Sequence, residues 1–270
     1  KQSMNPRKIQ IRSYPSSPTG GRPPLLFVHG AYVNATCWEY NFIPYFRQRG
    51  YDCHTVDLSG HGESEGREHI DNFTLQDYAE DVSRALQKIG STAILVGHSM
   101  GCRVLERYLD SGEAAGVIFL SPVPTTGTAG SAIQLALRYP GFIQAINAAV
   151  NGQISLKTGE QITKIYFSPD VTPHEALQFL PMLGPESQLA VAEMALPDVR
   201  WGARRRPLPA LVAGGTYDAV FPASMLHFMA SAWRADVFRT RGAGHMLMLD
   251  PQWESLAEHM LAWMESRIPG

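Results

Sequence analysis

Three polar residues follow apolar stretches of the sequence, and their types suit nucleophilic catalysis. Ser99 is the centre of G-H-S-M-G, which follows the apolar run A-I-L-V. Asp218 stands just beyond L-V-A-G-G, and His245 ends the short motif G-A-G-H. A serine hydroxyl is a poor nucleophile at neutral pH, so it needs a base that is itself oriented by an acid. The order Ser, Asp, His therefore predicts acyl transfer with Ser99 as the nucleophile, His245 as the base and Asp218 as the orienting acid.

The glycines that flank Ser99 support this interpretation. A strand that turns sharply into a helix forces the residue at its tip into a strained backbone, and Gly97 and Gly101 relieve the crowding there. The turn exposes the serine Oγ at the carboxyl edge of the sheet, in front of a helix N-terminus with its free N–H groups. A glycine-rich turn with an incidental serine is the alternative, and the joint presence of Asp218 and His245 argues against it.

Other acids suit the triad less well than Asp218. Asp236 begins a predicted strand, and Asp250 begins the last predicted helix. Asp218 could merely cap a following helix, and His245 could be an ordinary polar loop residue. Both nevertheless follow strands, and ligands of open α/β sheets bind at the carboxyl ends of the strands.

The elements that must position these residues alternate between apolar runs and amphipathic stretches. This alternation predicts an α/β fold with a mostly parallel central sheet flanked by helices. Strands are predicted at 9–13, 24–28, 52–56, 93–96, 117–120, 210–213 and 236–239, and helices at 38–49, 74–90, 100–110 and 251–267. Between Pro122 and Pro207 four helical stretches occur and no strand does. We therefore expect a core at 1–121 and 207–270 with an inserted helical lid at 122–206.

Composition excludes several classes of function. The 270 residues are 44% hydrophobic and 18% charged, and the net charge of −2 gives no reason to expect nucleic acid as a partner. No stretch has the roughly 18 uninterrupted apolar residues of a membrane span. The first residues have no apolar signal-peptide region, and Met4 could be a native start; we expect a cytoplasmic protein. Three scattered cysteines predict neither a disulfide framework nor a metal site.

At this point the chain resembles the α/β-hydrolase superfamily along nearly its whole length. The matching segments are F-V-H-G-A (27–31), D-L-S-G-H-G-E-S-E-G (57–66), G-H-S-M-G (97–101), G-G-T-Y-D (214–218) and G-A-G-H (242–245). H-G-E-S-E-G, G-H-S-M-G and L-S-P-V-P (120–124) are most similar to the monoglyceride lipase and lysophospholipase group. The resemblance implies hydrolysis of carboxylic esters through an acyl-enzyme, without a cofactor or a metal, under a lid that covers an acyl pocket.

The resemblance also assigns the oxyanion hole. It implies the N–H of Met100, directly after the nucleophile, and the N–H of Ala31 in the loop after an early strand, with Tyr32 as the alternative. The chain departs from the group at Cys102, where another glycine is usual. We expect Cys102 to contact the neighbouring strand and to leave the role of Ser99 intact. His98 is expected to face away from Ser99.

The lid sequence predicts an apolar pocket. Its candidate apolar residues are Leu135, Leu137, Phe142, Ile143, Ile146, Phe179, Leu180, Met182, Leu183, Leu189 and Met194. Together with Tyr32, the flexible side chains of Met182, Met246 and Met248 would give an adaptable wall for an acyl or otherwise apolar small-molecule substrate. The basic run 204–206 is read as a solvated loop, with recognition of an anionic head group as a minor hypothesis.

The triad alone does not rank the reactions that share it. A serine nucleophile argues against dehalogenase and epoxide hydrolase chemistry, which use an aspartate on this fold. Carboxylesterase or lipase, thioesterase, carbon–carbon bond hydrolase, perhydrolase and aminopeptidase chemistry stay open. So does a ligand receptor with slow turnover, because a fold does not determine a function.

Overall fold

The structure is a computed structural model, which describes residues 7–18, 20–153, 155–198 and 207–268. Within these ranges the chain forms a single seven-stranded sheet. The strands are β1 (Ile11–Tyr14), β2 (Leu25–Val28), β3 (Cys53–Val56), β4 (Ile94–His98), β5 (Gly116–Leu120), β6 (Ala210–Gly215) and β7 (Asp236–Thr240). All seven lie within two residues of the predicted positions. The buried strands β2, β4, β5 and β6 contain apolar runs, which are the clearest strand signals in the sequence.

The sheet is parallel except at one edge. Its strand order is β1-β3-β2-β4-β5-β6-β7, and only β1 pairs with its neighbour in antiparallel fashion. Every residue of β2, β4, β5 and β6 is buried, as expected of strands covered on both faces. The mostly parallel α/β sheet predicted from the sequence is therefore confirmed, and the turns after β4 and β6 open at one edge.

Helices cover both faces of this sheet. The α-helices are α1 (Phe42–Arg47), α2 (Leu75–Ile89), α3 (Met100–Tyr108), α4 (Ala129–Arg138), α5 (Phe142–Val150), α6 (Leu156–Tyr166), α7 (Pro173–Ala176), α8 (Gln188–Ala195), α9 (Leu226–Trp233) and α10 (Trp253–Arg267). Short 3₁₀ helices occupy Ala35–Trp38, Arg67–Asn72, Leu177–Met182 and Ala223–Met225. The capping box predicted at Thr74 begins α2, and Gly90 ends it with φ +73°.

The segment between β5 and β6 is helical, as predicted. Its described part contains α4 to α8 and no strand. We call residues 122–198 the cap. Helix α6 was not among the predicted elements; its first turn contains Gly159, and glycine is a poor helix former. The boundary of a separate lid at residue 206 stays a prediction, because 199–206, with the basic run 204–206, lie outside the described residues.

The apolar core lies in two layers, one on each face of the sheet. Alternate side chains of β2 pack into different layers, so that Phe27 lies in one layer and Leu26 in the other. Three cysteines are buried as free thiols. The Cys102 Sγ lies 3.4 Å from the Leu120 carbonyl oxygen of β5, which is the strand contact expected of it. In the part of the chain described, no helix is both long and apolar enough to cross a membrane.

Candidate active site

Ser99 occupies the strained turn between β4 and α3. Its φ of 52° and ψ of −115° are rare for a residue with a side chain. The Ser99 N–H donates to the Leu120 carbonyl at 2.9 Å, which fixes the turn against β5. A Cβ on Gly101 would lie 2.3 Å from the Val28 carbonyl oxygen, and one on Gly97 would lie 2.8 Å from Leu105. Glycine is therefore required at both flanking positions, because strand and helix cross there without space for a methyl group.

Asp218 and His245 form the hydrogen-bonded pair that the sequence predicts. The His245 Nδ1 lies 2.8 Å from the Asp218 Oδ2, and both side chains are buried. The other Asp218 oxygen accepts the backbone N–H groups of Val220 and Phe221, each at 2.8 Å. Because a carboxylate can only accept, Nδ1 of His245 carries the proton, and Nε2 keeps a lone pair.

The His245 backbone is fixed by two further side chains. His98 lies with its Nε2 2.9 Å from the His245 carbonyl oxygen, and the Ser121 hydroxyl donates to the same oxygen at 3.3 Å. Ser121 directly follows β5 and has a positive φ of 44°. The sequence analysis missed its role, although its place at a strand end was a usable signal. His98 was expected to face away from Ser99; it is among the residues that line the same cavity, and its orientation relative to Ser99 stays a prediction.

Aromatic rings surround the His245 imidazole. The ring centroids of His98, Phe221 and Tyr166 lie 4.9, 5.4 and 5.9 Å from it. Among the described residues no hydrogen bond joins the Ser99 Oγ to His245, but both side chains face one cavity. Catalytic hydrogen bonds are commonly long before a substrate binds. Burial lowers the pKa of His98 well below its ordinary value, which keeps this neighbour of His245 neutral.

The loop after β2 carries the predicted oxyanion donor. The His29 Nδ1 lies 2.8 Å from the Gly30 carbonyl oxygen, and Nε2 of His29 accepts the Leu58 N–H at 3.1 Å. Burial lowers the pKa of His29 to about 4, so the ring is neutral with its proton on Nδ1. In the described part of the chain the Ala31 N–H makes no hydrogen bond, whereas the Tyr32 N–H donates to Glu186. Of the two predicted candidates, Ala31 is thus the one whose N–H is unoccupied.

A cavity of about 370 Å³ lies between this sheet edge and the cap. Ser99, His245 and Ala31 line it beside the expected pocket residues Tyr32, Met182 and Met246. The other expected lid residues in its wall are Leu135, Phe142, Ile143, Ile146, Phe179, Leu180, Leu183 and Met194. Three expected residues do not line it: Leu137 and Leu189, which are exposed, and Met248, which is packed in the core. The wall is predominantly apolar.

Some residues that line the cavity on helices α4 and α5 are also exposed to solvent. Most lining residues are buried or half-buried, but Ala132 of α4 and Ile143 and Asn147 of α5 are exposed. The cavity wall therefore includes residues on α4 and α5 that also reach the protein surface.

The two rejected acids have other partners. Asp236 accepts from Trp263 and Arg267. Asp250 is buried, and its Oδ2 accepts the N–H groups of Ser168 in the cap at 2.8 Å and of Gly244 at 3.1 Å. Among the described residues, neither carboxylate forms a hydrogen bond with the His245 ring. In the regions of the chain that the structure describes, no group of three or more His, Cys, Asp or Glu side chains could hold a metal ion.

Comparisons with known proteins agree with this architecture. A model described as the alpha/beta hydrolase family matches residues 25–257. A pyrethroid hydrolase of Sphingobium wenxiniae is 30% identical over 105 residues, which are 37% of this chain and 36% of that protein. The alignment thus spans little more than a third of this relative.

Solved structures resemble the chain over nearly its full length. A bromoperoxidase from Bacillus anthracis has a TM-score of 0.76 and 21% identity, covering 97% of this chain and 96% of the other. An esterase from Exiguobacterium antarcticum has a TM-score of 0.76 and 19% identity, covering 96% of each chain. At these identities the likeness shows the shared fold.

Proposed function

The chain belongs to the alpha/beta hydrolase family, and we propose that it is a serine hydrolase of carboxylic esters with an apolar acyl group. One observation carries the proposal: a serine in a strained turn and a histidine paired with a buried aspartate face the same apolar cavity. The nucleophile and its base suit acyl transfer, and the apolar wall of the cavity suits an acyl group that is transferred out of water on binding.

The first half of the proposed reaction forms an acyl-enzyme. The Ser99 Oγ attacks the ester carbonyl carbon while His245 Nε2 takes its proton, and the carbonyl π electrons move to the oxygen. Asp218 holds the proton on Nδ1 and stabilises the imidazolium that forms. When the C–O bond to the alcohol breaks, His245 returns the proton to the leaving oxygen.

The second half releases the acid. Water gives a proton to His245 Nε2 and attacks the acyl carbon, and the Ser99 oxygen leaves with that proton. In both halves the N–H groups of Ala31 and Met100 stabilise the oxyanion, aided by the positive end of α3. No metal or organic cofactor takes part in these steps.

A series of p-nitrophenyl esters, from short to long acyl chains, tests the proposal. We expect turnover by the wild type, an optimum at a medium or long chain, and loss of turnover in Ser99→Ala. A pyrethroid belongs in the substrate panel because of the relative described above. A panel without Ser99-dependent hydrolysis of any ester would contradict the proposal.

Further substrates separate the reactions that use the same triad. Acyl thioesters test a thioesterase, peracid formation from hydrogen peroxide tests a perhydrolase, and aminoacyl anilides test an aminopeptidase. A vinylogous diketone tests carbon–carbon bond hydrolysis. If a fluorophosphonate labels Ser99 while none of these substrates turns over, a slow-turnover receptor becomes the better reading.

A further inference from the structure

A buried carboxylate of the cap lies beside the oxyanion loop, and the proposed reaction does not yet use it. Glu186 is 2% exposed and precedes α8. Its Oε1 accepts the Tyr78 hydroxyl and the Ser187 N–H, each at 2.8 Å. Its Oε2 lies 2.8 Å from Nε2 of His61 and accepts the Tyr32 N–H at 3.3 Å. All four partners are donors, so this position requires an acceptor at both oxygens.

His61 must be an imidazolium in this arrangement. Its Nε2 faces the Glu186 carboxylate, and its Nδ1 lies 3.0 Å from the Ser59 carbonyl oxygen. Both neighbours are acceptors, so both ring nitrogens carry protons. Burial alone would lower the pKa of His61, but the charge and the hydrogen bond of Glu186 raise it above its ordinary value. The result is a buried ion pair that joins the cap to the core.

This pair is connected to the backbone around Ala31. Tyr32 has a positive φ of 63°, and the cap holds it on both sides. Its N–H donates to Glu186, and its carbonyl accepts the Gly184 N–H at 3.0 Å. The peptide that follows Ala31 is thus fixed by the cap, whereas His29 fixes the carbonyl of the peptide that precedes Ala31.

The two histidines also pack on each other. The His29 and His61 rings lie 5.0 Å apart between centroids. His29 is neutral and holds the peptide that contains the Ala31 N–H, whereas His61 is charged and pairs with Glu186. The direction of the Ala31 N–H is therefore determined by both peptides that flank the Ala31 Cα. The core residue His29 holds the preceding peptide, and the cap holds the following one.

We propose that Glu186 is a positioning residue, which aims the Ala31 N–H at the oxyanion through Tyr32 and His61. The inference rests on the proposed function, because it needs an oxyanion at this place. It makes the cap part of the catalytic machinery as well as a cover for the acyl chain. A cap residue thereby acts on the rate of the chemical step.

Glu186→Gln is the informative substitution. An amide presents one oxygen and one NH₂ group, so two of the four donors would face another donor. If the NH₂ group faces Tyr32, the Tyr32 N–H loses its acceptor and the oxyanion loop relaxes. Removing an oxyanion donor outright costs about 10²–10³ in kcat, so a displaced donor should cost roughly 10- to 100-fold. KM should change little, because the substituted group does not line the acyl cavity.

Glu193→Gln is the matched control. Glu193 is also a cap carboxylate that holds a core N–H, that of Leu75 at 2.8 Å, but it has no bond to the oxyanion loop. We expect this control to stay within about threefold of the wild-type kcat, since it changes no oxyanion donor.

The experiment measures kcat and KM on the best ester, and the rate at which a fluorophosphonate labels Ser99. It also measures the affinity of an alkyl boronic acid, which forms a tetrahedral adduct, and of the matching carboxamide, which does not. Thermal unfolding and circular dichroism select variants that are folded at the assay temperature. In Glu186→Gln we expect kcat, labelling rate and boronate affinity to fall together, with unchanged carboxamide affinity.

Each outcome decides a separate point. Equal losses in Glu186→Gln and Glu193→Gln would show general loosening of the cap and would overturn the inference. So would a loss confined to KM and carboxamide affinity. Fluorophosphonate labelling needs no known ester: if wild-type Ser99 is not labelled at all, the proposed function fails first. If it is labelled and Glu186→Gln is labelled equally fast, only the positioning role fails.

Discussion

His245 Nδ1 lies 2.8 Å from Asp218 Oδ2, while the second oxygen of the same carboxylate accepts two backbone N–H groups of its own loop. Because the two Asp218 oxygens have different partners, they determine how an amide in the same place would be oriented. In Asp218→Asn the amide oxygen stays with the backbone donors, and the NH₂ group turns to His245. The histidine proton must then move to Nε2, which can no longer accept the serine proton.

We therefore expect Asp218→Asn to lower kcat by about 10⁴, as the equivalent change does in the serine protease triad. Folding should be almost unaffected, because the hydrogen bonds to the loop are kept. Asp236→Asn is the control, since Asp236 bonds Trp263 and Arg267 far from the histidine ring. Ester hydrolysis of both variants is the measurement, and equal activity in the two would contradict the assignment.

Ser99→Ala and His245→Ala should not have additive effects. Each should cost about 10³-fold or more in kcat, and the double variant little more, because the triad acts as a unit. The comparison uses kcat for one p-nitrophenyl ester in all four proteins. Additive losses in the double variant would mean that the two residues act in separate steps.

Gly30→Ala tests how closely the oxyanion loop approaches the nucleophile. Its Cβ would lie 3.0 Å from His98 Nδ1 and 3.1 Å from the Ser99 Cβ, so the loop must move away. Because the Ala31 N–H moves with it, kcat should fall roughly 10- to 100-fold. Gly159→Ala is the matched control, because its Cβ meets nothing within 4 Å. Similar kcat values for the two variants would place the oxyanion donor elsewhere.

Two leucines on one helix test the acyl cavity. Leu135 is buried in the cavity wall, whereas Leu137 is 79% exposed and outside it. Leu135→Trp fills part of the cavity, so the optimal acyl chain should become shorter. Leu137→Trp should leave the chain-length profile unchanged. The same p-nitrophenyl series measures both, and an unchanged profile in Leu135→Trp would show that acyl chains bind along another part of the wall.

A buried acid predicts a pH-dependent gain in stability. Burial raises the pKa of Asp81 from 3.8 to about 6, and its Oδ2 accepts the Ser59 N–H at 2.8 Å. Above pH 6 the folded protein holds a buried charge that the unfolded chain carries in water, so ionisation favours unfolding. Asp81→Asn removes this cost and keeps an acceptor for Ser59.

The substitution should raise the free energy of unfolding more at pH 7.5 than at pH 5. From the difference between the two pKa values, the gain should shrink by about 1 kcal/mol over this interval, because the folded acid takes up its proton there. Urea unfolding of wild type and variant at several pH values measures it. A gain that stays constant or grows toward pH 5 would contradict the raised pKa.

Much of the fold could be predicted because its signals are local. The central strands contain apolar runs, and Thr74 with Asp77 marks the start of α2 by a capping box. Helix α6 has a weaker sequence signal, because Gly159 lies in its first turn and it carries β-branched residues such as Thr163. Its stability comes from packing in the cap, and a sequence pattern does not record that packing.

The candidate site also contains some residues with local sequence signals and others without them. Ser99, Asp218 and His245 each follow a strand of the parallel part of the sheet, so their shared edge can be deduced from the sequence order. Glu186 lies between two cap helices and binds His61, which is 125 positions away in the chain. No local sequence pattern predicts a pair of residues that lie so far apart in the chain. The groups that fix the backbone of a catalytic loop are thus hidden from sequence reasoning.

The attachment of the cap is uneven along its length. Near its end Glu186 and Glu193 bind the core, and in its middle Ser168 shares Asp250 with the histidine loop. Within residues 129–150, all of which the structure describes, no hydrogen bond reaches the sheet or its flanking helices. Helices α4 and α5 can thus be treated as an exchangeable part. An enzyme engineer could replace that block to change substrate preference and leave the catalytic loops in place.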